Sequence, residues 1–475
     1  MEHYKMYVNG EWRDSEVKQP VYNKYTREQT ATYAKTSGAE VDEAIAAARE
    51  SFNTVKLTPS QRAEILTKAK AFLLEEKDAI ANAICNESGR LIGDSMGEVG
   101  RSALVFDLAA EEGKRICGEM IPVDGVAGGE NKVCFTLRAP VGVVCAITPF
   151  NVPLSLTMHK VAPAIAAGNT VILKPSEASP GFAVKLVEIF LKAGLPKNHI
   201  QLVLGGGASV GEALLNNEGI DFYTFTGSVS TGEHIKKTIG LRRCSMELGS
   251  NAPVIVHSDA ADVKKAAVNC ALKGFMNAGQ VCMKPQRILV QESVLDEFLE
   301  AAAEFAKGLV TGDPRDPKTN IGPLISAEEA DRVDNWVKEA VAQGARVVAG
   351  GEKASDVCYA PTVLTDVKKG MRVVDEEIFG PVIVVIPYGE FDEAIRIAND
   401  SVFGLQAGVF TANINLAMKA AREIEAGGVI INETSFWRVD NMPYGGIKRS
   451  SAGGKEGPRF AIKEMTNLKT ILIEL

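Results

Sequence analysis

The chain has 475 residues, a formal net charge of −8 and a sequence pI near 5.5. Because a single hydrophobic core rarely grows beyond about 250 to 300 residues, this length predicts two major domains. The negative charge argues against a general nucleic-acid-binding protein, which needs concentrated Lys and Arg, and no run of about 18 apolar residues predicts a membrane span.

The amino terminus and the cysteines predict a cytoplasmic protein without a metal site. Residues 1–10 are polar and contain a turn signal, unlike a secretory or transit peptide. The eight cysteines are scattered and mostly lie in apolar surroundings, which is typical of reduced thiols in the cytosol. No CxxC pair occurs, and the five histidines lack the i, i+4 spacing of a zinc site.

The first half of the chain predicts a nucleotide-binding α/β domain. Asn9-Gly10 favours a hairpin between strands 6–8 and 11–13, and helical periodicity follows at 41–52, 60–75 and 99–115. After Pro140, short apolar runs alternate with helix-length stretches, which is the pattern of a doubly wound parallel sheet. The predicted strands are 141–147, 170–174, 200–204, 222–226 and 245–248.

The second half predicts another α/β domain and a short apolar arm. Its strands are predicted at 253–257, 287–291, 382–387, 407–410 and 428–432. Two apolar segments, 132–137 and 466–475, stand apart from both series. Because an apolar terminal strand is an adhesive edge unless another subunit covers it, we expect a homo-oligomer, either a dimer or a tetramer.

Three polar side chains follow predicted elements at positions where ligand crevices form. Cys282 follows the helical stretch 263–276, and its thiol is a nucleophile when ionised. Glu247 ends an apolar strand, where a partly desolvated carboxylate can take a proton from water. Asn151 follows another strand, and its amide is a donor of the kind that stabilises an oxyanion. Taken alone, each residue also fits an ordinary structural role.

Two further segments suit a phosphate or a ribose. The stretch from Gly227 to Gly232 follows strand 222–226 and opens a helix, whose first N–H groups attract an anion. Its glycine spacing differs from the dinucleotide fingerprint and is weakly specific. Lys174 and Glu177 follow strand 170–174, where they suit either ribose hydroxyls or a solvated loop.

Together these segments resemble the aldehyde dehydrogenase superfamily over essentially the whole chain. The resemblance is carried by seven motifs in the family's order: Thr148-Pro149-Phe150-Asn151, Lys174-Pro175-Ser176-Glu177, Phe225-Thr226-Gly227-Ser228, Glu247-Leu248-Gly249, Gly279-Gln280-Val281-Cys282, Glu377-Ile378-Phe379-Gly380-Pro381 and Pro443-Tyr444-Gly445-Gly446. Two departures are Ser250, where the family usually has Gly, and the loop 448–457, which is one residue longer than usual.

The resemblance implies a Rossmann-like NAD-binding domain, an α/β catalytic domain and a small β oligomerisation arm. The implied NAD(P)-binding domain comprises 1–115 and 137–249, with 450–465 packing back on it. The implied catalytic domain is 250–449, and the implied arm comprises 116–136 and 466–475.

The resemblance also implies a thioester mechanism. Cys282 is then the nucleophile, Asn151 with the backbone N–H of Cys282 forms the oxyanion hole, and Glu247 activates the water that hydrolyses the thioester. Branches that pass the acyl group to coenzyme A typically lack this acid, so Glu247 favours hydrolysis.

The implied cofactor site holds NAD, with NADP as an alternative. Lys174 and Glu177 match the adenosine ribose positions, Ser228 a pyrophosphate position, and Glu377 with Phe379 the nicotinamide positions. Glu177 favours NAD, because a carboxylate accepts from a free 2′-hydroxyl and repels a 2′-phosphate. The other implied cofactor-site residues are Thr148, Pro149, Ser176, Gly207, Gly211, Phe225, Gly227 and Leu248.

The residues expected around the aldehyde channel lead to a hypothesis about the substrate. By resemblance, it is lined by Arg101, His159, Arg438 and Tyr444, with Val152, Val281 and Met283. Guanidinium groups suit carboxylate, phosphate or sulfonate. We therefore expect a short anionic or hydroxylated aldehyde, such as lactaldehyde, glyceraldehyde 3-phosphate, a sulfonated aldehyde or succinate semialdehyde. The alternative is that both arginines are ordinary surface or salt-bridged residues.

Three other functions stay open. A coenzyme A-acylating dehydrogenase is disfavoured by Glu247. A catalytically silent structural protein of the same fold is disfavoured by the intact set of Cys282, Asn151 and Glu247. A cofactor-free cysteine hydrolase lacks a plausible His partner beside Cys282.

Overall fold

The computed structural model describes all residues from Met1 to Leu475. Two seven-stranded, mostly parallel sheets form its body, and separate hydrophobic cores flank each sheet. This is the α/β architecture that the alternation of apolar runs and helices predicts.

The first sheet contains the five strands predicted after Pro140 and both strands of the predicted amino-terminal hairpin. Its spatial order is Arg243–Glu247, Phe222–Thr226, Val143–Ile147, Thr170–Lys174, Ile200–Leu202, Met6–Val8 and Glu11–Arg13. The first five strands run parallel, and the amino-terminal hairpin adds two antiparallel strands at the edge. Strands such as Thr170–Lys174 are fully buried, which is why they appear in the sequence as continuous apolar runs.

Helices cover both faces of this sheet. Ser37 and Thr58 begin the first two helices with capping boxes, in which each hydroxyl accepts from a backbone N–H three residues on. The helices of this half are Gly38–Thr54, Pro59–Glu75, Lys77–Ser88, Ile92–Gly113, Pro153–Ala167, Gly181–Lys192, Glu212–Asn216 and Val229–Ile239, and Pro458–Glu464 returns to pack on them.

The second sheet is built in the same way. Its order is Arg346–Ala349, Thr362–Thr365, Val382–Tyr388, Arg287–Gln291, Pro253–Val256, Gln406–Phe410 and Gly428–Ile431, and only the first pair is antiparallel. Its helices are Val263–Phe275, Leu295–Lys307, Ala327–Ala342, Arg372–Asp375, Phe391–Asn399 and Ile414–Glu423.

Three small sheets complete the fold. Strand Thr466–Glu474 pairs with Lys132–Pro140 along its whole length, and Met120–Ile121 adds a third strand. This arm leaves apolar side chains such as Leu468 and Leu472 more than half exposed. A second sheet, not predicted from the sequence, joins Glu2–Tyr4, Gln29–Ala34 and Lys18–Tyr22, and a third pairs Phe403–Gly404 with Ile447–Lys448.

The register of the first sheet aligns the ends of its strands. Ile147 lies opposite Lys174 on one side and Phe225 on the other, and Thr226 lies opposite Glu247. The segments that follow these strands therefore leave the sheet at one edge, which is where ligands bind in open α/β sheets.

Candidate active site

A strained turn presents Cys282 between the two sheets. After helix Val263–Phe275, the backbone of Asn277, Ala278 and Gly279 is left-handed, with φ of 54°, 53° and 71°. A Cβ on Gly279 would lie 1.9 Å from the carbonyl oxygen of Gly380, so only glycine fits there. Strain of this kind persists only where the surroundings fix it, as at many functional sites.

The side chain of Gln280 fixes this turn. Its Nε2 donates to the carbonyls of Asn277 at 3.1 Å and Pro323 at 3.4 Å, and its Oε1 accepts from the backbone N–H of Ile325 at 2.9 Å. Because Gln280 is buried, these bonds are shielded from water. The position of the following Cys282 is thus set by a buried hydrogen-bond network.

The Cys282 thiol is half-buried, and its Sγ lies 3.2 Å from the Tyr444 hydroxyl. Burial raises the pKa of Cys282 to about 12, while the hydrogen bond from Tyr444 and the charge of Arg438 act to lower it. The group at rest is therefore a thiol, and attack on a carbonyl requires that its proton leave.

Asn151 reaches the same turn from the end of strand Val143–Ile147. Its Nδ2 donates to the carbonyl of Gln280 at 2.8 Å, and Asn277 donates to the Asn151 carbonyl at 3.0 Å. An amide nitrogen has two N–H groups, so one remains for an oxygen atom near Cys282. This placement suits the oxyanion role implied by the sequence.

Glu247 is buried at the end of its strand, and neither carboxylate oxygen has a hydrogen-bond partner. Burial, and next the negative charge of Glu456, raise the pKa of Glu247 well above its ordinary value. A Cβ on Gly445 would lie 2.5 Å from Glu247 Oε1, so this glycine leaves room for the acid. A carboxyl with a raised pKa suits general base catalysis near neutral pH.

Behind Glu247 lies a buried ion pair that sequence reasoning missed. Lys160 Nζ lies 2.7 Å from Glu456 Oε1, and both side chains are almost fully buried. Arg438 lies 3.6 Å from the other oxygen of Glu456. One signal was available, because Lys160 is a cation within the almost entirely buried, apolar helix Pro153–Ala167, and such a charge needs a partner.

A small cavity of about 140 Å³ opens beside the Cys282 thiol. Its lining includes all four residues expected around the substrate, namely Arg101, His159, Arg438 and Tyr444, together with Asn151, Val152, Val281 and Met283. The structure therefore brings the sequence-predicted catalytic and substrate residues together, and Glu247 lies behind Tyr444-Gly445.

The two arginines of the cavity differ in their partners. Arg101 binds Asp440 through Nε at 2.9 Å and Nη2 at 2.8 Å, and its side chain is 39% exposed. Arg438 is buried and lies over the Tyr444 ring at 3.9 Å, and its Nε has no hydrogen-bond partner. Both arginines thus have carboxylate partners, as in the salt-bridged alternative, yet both also line the cavity.

The predicted adenosine-ribose residues lie together where strand Thr170–Lys174 ends. Lys174 is buried, and its amine makes a single long hydrogen bond, to the Pro175 carbonyl at 3.4 Å. Burial lowers the pKa of Lys174, while the charge of Glu177 acts to raise it. Nothing lies within 4 Å of a Cβ on Gly207, and the Ser176 hydroxyl accepts from the Ala178 N–H at 3.2 Å. The Lys174 amine, the Glu177 carboxylate and the open space at Gly207 together suit the hydroxyl groups of a ribose.

The predicted pyrophosphate segment begins a helix in the structure. The Ser228 hydroxyl accepts from the N–H of Thr231 and caps helix Val229–Ile239. The Phe225 ring lies 2.4 Å from where a Cβ on Gly227 would stand, and Leu248 packs in the same way against Gly232. These glycines therefore let the start of the helix pack closely on Phe225 and Leu248. The N-terminus of a helix suits an anion such as a pyrophosphate. Thr148, Pro149 and Gly211 lie on the neighbouring segments, and the buried Thr148 hydroxyl has no partner.

Glu377 connects the two sheets. Its carboxylate accepts from the Ser250 N–H at 2.9 Å and lies where a Cβ on Gly249 would stand. Burial raises the pKa of Glu377 to about 7 and lowers that of the nearby Lys284 to about 7. Phe379 has a left-handed φ of 42° and meets Phe150 edge to face at 6.2 Å. A carboxyl and an aromatic ring at this junction fit a nicotinamide nucleoside.

Both departures from the family pattern have a defined structure. The backbone N–H of Ser250 donates to Glu377 Oε1 at 2.9 Å, and the Gly249 carbonyl accepts from the Ser450 hydroxyl at 2.8 Å. The loop 448–457 runs beside strand Arg243–Glu247, with an antiparallel bridge between Glu247 and Ser451. This loop carries the buried Glu456 into the site.

The structure contains no cluster of three or more His, Cys, Asp or Glu side chains placed to hold a metal ion. None of its helices combines the length and apolarity needed to cross a bilayer. All eight cysteines are free.

Comparisons with known proteins define the family. Residues 12–471 match the model of the aldehyde dehydrogenase family. The chain is 48% identical over 472 residues to a 3-sulfolactaldehyde dehydrogenase of Priestia aryabhattai, covering 99% of this chain and 98% of that protein. It is 39% identical to a lactaldehyde dehydrogenase of Methanococcus vannielii, covering 98% and 99%.

A solved structure agrees with this assignment. The glyceraldehyde-3-phosphate dehydrogenase GapN from Methanocaldococcus jannaschii, complexed with NADP, superposes with a TM-score of 0.92 at 38% identity, covering 98% of this chain and 100% of that one. The matches extend over both sheets and every segment of the site. The chain belongs to the aldehyde dehydrogenase family and is an enzyme that oxidises aldehydes.

Proposed function

We propose that this enzyme oxidises a short anionic or hydroxylated aldehyde to the carboxylate, through a thioester on Cys282 that is hydrolysed with Glu247 as the base. The observation that carries this proposal is the shared cavity: the Cys282 thiol opens into about 140 Å³ that Arg101, Arg438 and His159 also line. Ligand pockets for drug-sized molecules measure about 300 to 1,000 Å³, so this space suits a substrate of a few carbons.

A three-carbon sulfonated aldehyde of the 3-sulfolactaldehyde type is the first candidate. The 48% identity to an enzyme of that name supports it, and guanidinium groups match the oxygens of a sulfonate. Lactaldehyde, glyceraldehyde 3-phosphate and succinate semialdehyde are the other candidates, the first two in view of the similar enzymes of those names.

In the proposed acylation, the Cys282 thiol loses its proton and its sulfur attacks the aldehyde carbon. That proton passes to solvent through the cavity that opens beside Cys282, so Glu247 stays available for the later hydrolysis. The free N–H of Asn151 and the backbone N–H of Cys282 stabilise the oxygen of the thiohemiacetal. A bound nicotinamide supplies the hydride acceptor for the thiohemiacetal carbon.

In the proposed deacylation, Glu247 takes a proton from water, and the resulting hydroxide attacks the thioester carbonyl. The C–S bond then breaks, the carboxylate leaves and the Cys282 sulfur regains a proton. Burial keeps both Glu247 oxygens without protein partners, so they are free to bind that water.

The proposed cofactor is NAD, with NADP as the alternative that an assay must include. A nicotinamide cofactor is supported by the similar structures, of which GapN carries NADP. The Glu177 carboxylate beside Lys174 favours the free 2′-hydroxyl of NAD.

The exposed apolar arm further supports the proposal that the enzyme forms a homo-oligomer, either a dimer or a tetramer.

The substrate proposal is tested with matched aldehydes that differ in charge. We expect kcat/KM for sulfolactaldehyde to exceed that for lactaldehyde, and Arg101→Leu and Arg438→Leu to lower the ratio of these two values at least tenfold, since each removes a charge that binds the anion. Arg346→Leu, at an exposed ion pair with Asp366, is the control. An equal loss for both aldehydes, or no loss, contradicts the anion pocket.

The same assay separates the alternative functions. A coenzyme A-acylating enzyme would need coenzyme A for multiple turnovers and would release an acyl-coenzyme A, whereas we expect the free acid and no dependence on coenzyme A. A structural protein of this fold would form no NADH or NADPH from any aldehyde of the panel.

A further inference from the structure

Asn151 is held in place mainly through its backbone. Its side chain makes one hydrogen bond, from Nδ2 to the Gln280 carbonyl at 2.8 Å, and its buried Oδ1 has no partner. Its backbone carbonyl, by contrast, accepts from Asn277 Nδ2 at 3.0 Å and from Arg90 Nη1 at 3.4 Å. The direction of the free amide N–H therefore depends on where the fold places the Asn151 backbone.

The helix that follows Asn151 begins without a cap of its own. Val152 stands at the N-cap position of helix Pro153–Ala167, and its apolar side chain cannot accept a hydrogen bond. Glu98, from a neighbouring helix, supplies the acceptor, because its Oε1 binds the Ser155 N–H at 3.0 Å. A carboxylate there also matches the positive end of the helix dipole. Glu98 thereby fixes the first turn of the helix directly after Asn151.

Arg90 connects Glu98 to Asn151. Its Nε lies 3.1 Å from Glu98 Oε2, in an ion pair that lacks the alignment of a hydrogen bond, and the two side chains are only 10% and 1% exposed. Because a buried charge is costly without its partner, each group of this pair holds the other in place. Arg90 also lines the aldehyde cavity beside Cys282. The pair thus joins the start of the helix, the Asn151 carbonyl and the wall of the cavity.

We propose that Glu98 and Arg90 are positioning residues for the oxyanion hole, which hold the Asn151 backbone so that its amide N–H points at the aldehyde oxygen. The inference rests on the proposed thioester mechanism, in which that N–H stabilises the thiohemiacetal oxygen. Such a donor is worth about 10² to 10³ in rate, and a misplacement of about 1 Å costs about 10²-fold. Glu98 can therefore control acylation without touching the substrate.

The test follows the first turnover of Glu98→Gln at saturating cofactor and aldehyde. Gln keeps one acceptor oxygen for the Ser155 N–H but loses the charge that holds Arg90, so the first NADH should form about tenfold or more slowly. KM should change less than about threefold, since the donor acts mainly in the transition state. Arg90→Lys should give the same pattern, because one ammonium group lacks the guanidinium fork that serves Glu98 and Asn151 together. It also replaces Glu98→Gln if that variant does not fold.

The assay is run with lactaldehyde and with sulfolactaldehyde. The slowing should be equal for both, because the pair acts on the carbonyl oxygen that every aldehyde has. A slowing confined to the sulfonated aldehyde would mean that Arg90 binds the substrate anion instead, and it would overturn the inference.

A double-mutant cycle with Asn151→Ala separates positioning from general damage to the site. Without the Asn151 amide, adding Glu98→Gln should slow the first turnover by less than about twofold, since the pair then has no donor to aim. Alkylation of Cys282 by iodoacetamide needs no oxyanion donor. Glu98→Gln should therefore change the alkylation rate by less than about twofold.

Glu87 offers a matched control. It is also a buried carboxylate, 2% exposed, and it accepts from the Gly181 N–H at 2.8 Å where helix Gly181–Lys192 begins. Its two hydrogen-bond partners, Gly181 and Tyr4, do not line the aldehyde cavity. Glu87→Gln should therefore lower stability, as Glu98→Gln does, and leave the rate of the first turnover within about twofold.

A folded Glu98→Gln enzyme with a full-rate first turnover would overturn the inference. So would an equal slowing with and without the Asn151 amide, or an equal slowing by Glu87→Gln. Failure of the proposed oxyanion role is a distinguishable result, because Asn151→Ala alone would then turn over at full rate, and the inference would fall with that role.

Discussion

The Sγ atom of Cys282 lies 3.2 Å from the Tyr444 hydroxyl, and the Arg438 guanidinium covers the other side of the same tyrosine at 3.9 Å from the ring centre. Tyr444 therefore touches both the proposed nucleophile and a residue of the proposed anion pocket. Tyr444 is buried, with 4% of its surface exposed, so its surroundings hold the side chain in place. A change at Tyr444 is therefore expected to affect both the reactivity of the Cys282 thiol and the position of Arg438.

Replacing Tyr444 with Phe should make the Cys282 thiol harder to ionise. The hydroxyl lowers the pKa of Cys282, so its removal raises that pKa and reduces the thiolate present at pH 8. Because hydrogen bonds to charged groups contribute about 1.5 to 3 kcal/mol, we expect inactivation by iodoacetamide to slow by about tenfold or more. The pH dependence of inactivation measures this, with the exposed Tyr22→Phe as the control. An unchanged profile would show that Tyr444 does not stabilise the thiolate.

Gly279→Ala should destabilise the protein and abolish the placement of Cys282. A left-handed alanine alone costs about 1 to 2 kcal/mol, and the clash with the Gly380 carbonyl should bring the loss to about 3 kcal/mol or more. Gly370→Ala is the matched control, with φ of 96° and no atom within 4 Å of the new Cβ, so it should show the strain alone. Denaturant unfolding measures both, and equal losses would contradict the clash.

Glu456→Gln should shift the pH dependence of thioester hydrolysis. The negative charge of Glu456 raises the pKa of Glu247, so its removal lowers that pKa and leaves Lys160 and Arg438 to lower it further. Since Glu247 acts as a base only when deprotonated, the rise of rate with pH should move to lower pH. Single-turnover deacylation measures it, with Glu464→Gln at a surface ion pair as the control.

The same Glu456→Gln change should also lower stability, because it leaves the buried Lys160 cation without a carboxylate. Loss of one partner from a buried pair costs about 3 to 5 kcal/mol. Thermal unfolding should therefore show a clear drop, and a pH shift without any loss of stability would mean that the pair is hydrated in solution.

The parts of the site that follow buried strands could be predicted from the sequence. Glu247, Lys174 and Asn151 each come at or just after a strand that is mostly buried, and such strands are apolar runs whose ends are visible in the sequence. The small sheet of Glu2–Tyr4, Lys18–Tyr22 and Gln29–Ala34 could not, because its strands are short and rich in polar residues.

The charged partners of the site residues could not be predicted from the sequence either. Asp440 meets Arg101 across 339 residues, and Glu456 meets Lys160 across 296. Hydrophobic periodicity does not predict such contacts, because they depend on how a loop near the end of the chain packs on a helix near its start. The arginines could therefore be placed near the aldehyde from the resemblance, but their ion pairs with Asp440 and Glu456 are evident only in the folded structure.

A charge on the apolar arm should change the assembly state. Leu472 is 56% exposed on strand Thr466–Glu474, and in a homo-oligomer we expect a second subunit to cover it. Leu472→Asp should then give smaller particles by light scattering after size exclusion, while Val310→Asp, at a similarly exposed apolar residue outside the arm, should not. A monomeric unmodified enzyme would contradict the expectation outright.

The covalent role of Cys282 with Glu247 as the hydrolytic base is tested most directly by intact-mass analysis of Glu247→Gln after one turnover with aldehyde and NAD. The predicted result is one equivalent of NADH, one acyl group on the peptide that contains Cys282, and steady turnover slowed by about 10² to 10⁴. Cys282→Ala should show neither the acyl group nor NADH. Full-rate turnover by Glu247→Gln, or NADH formation by Cys282→Ala, would contradict the account.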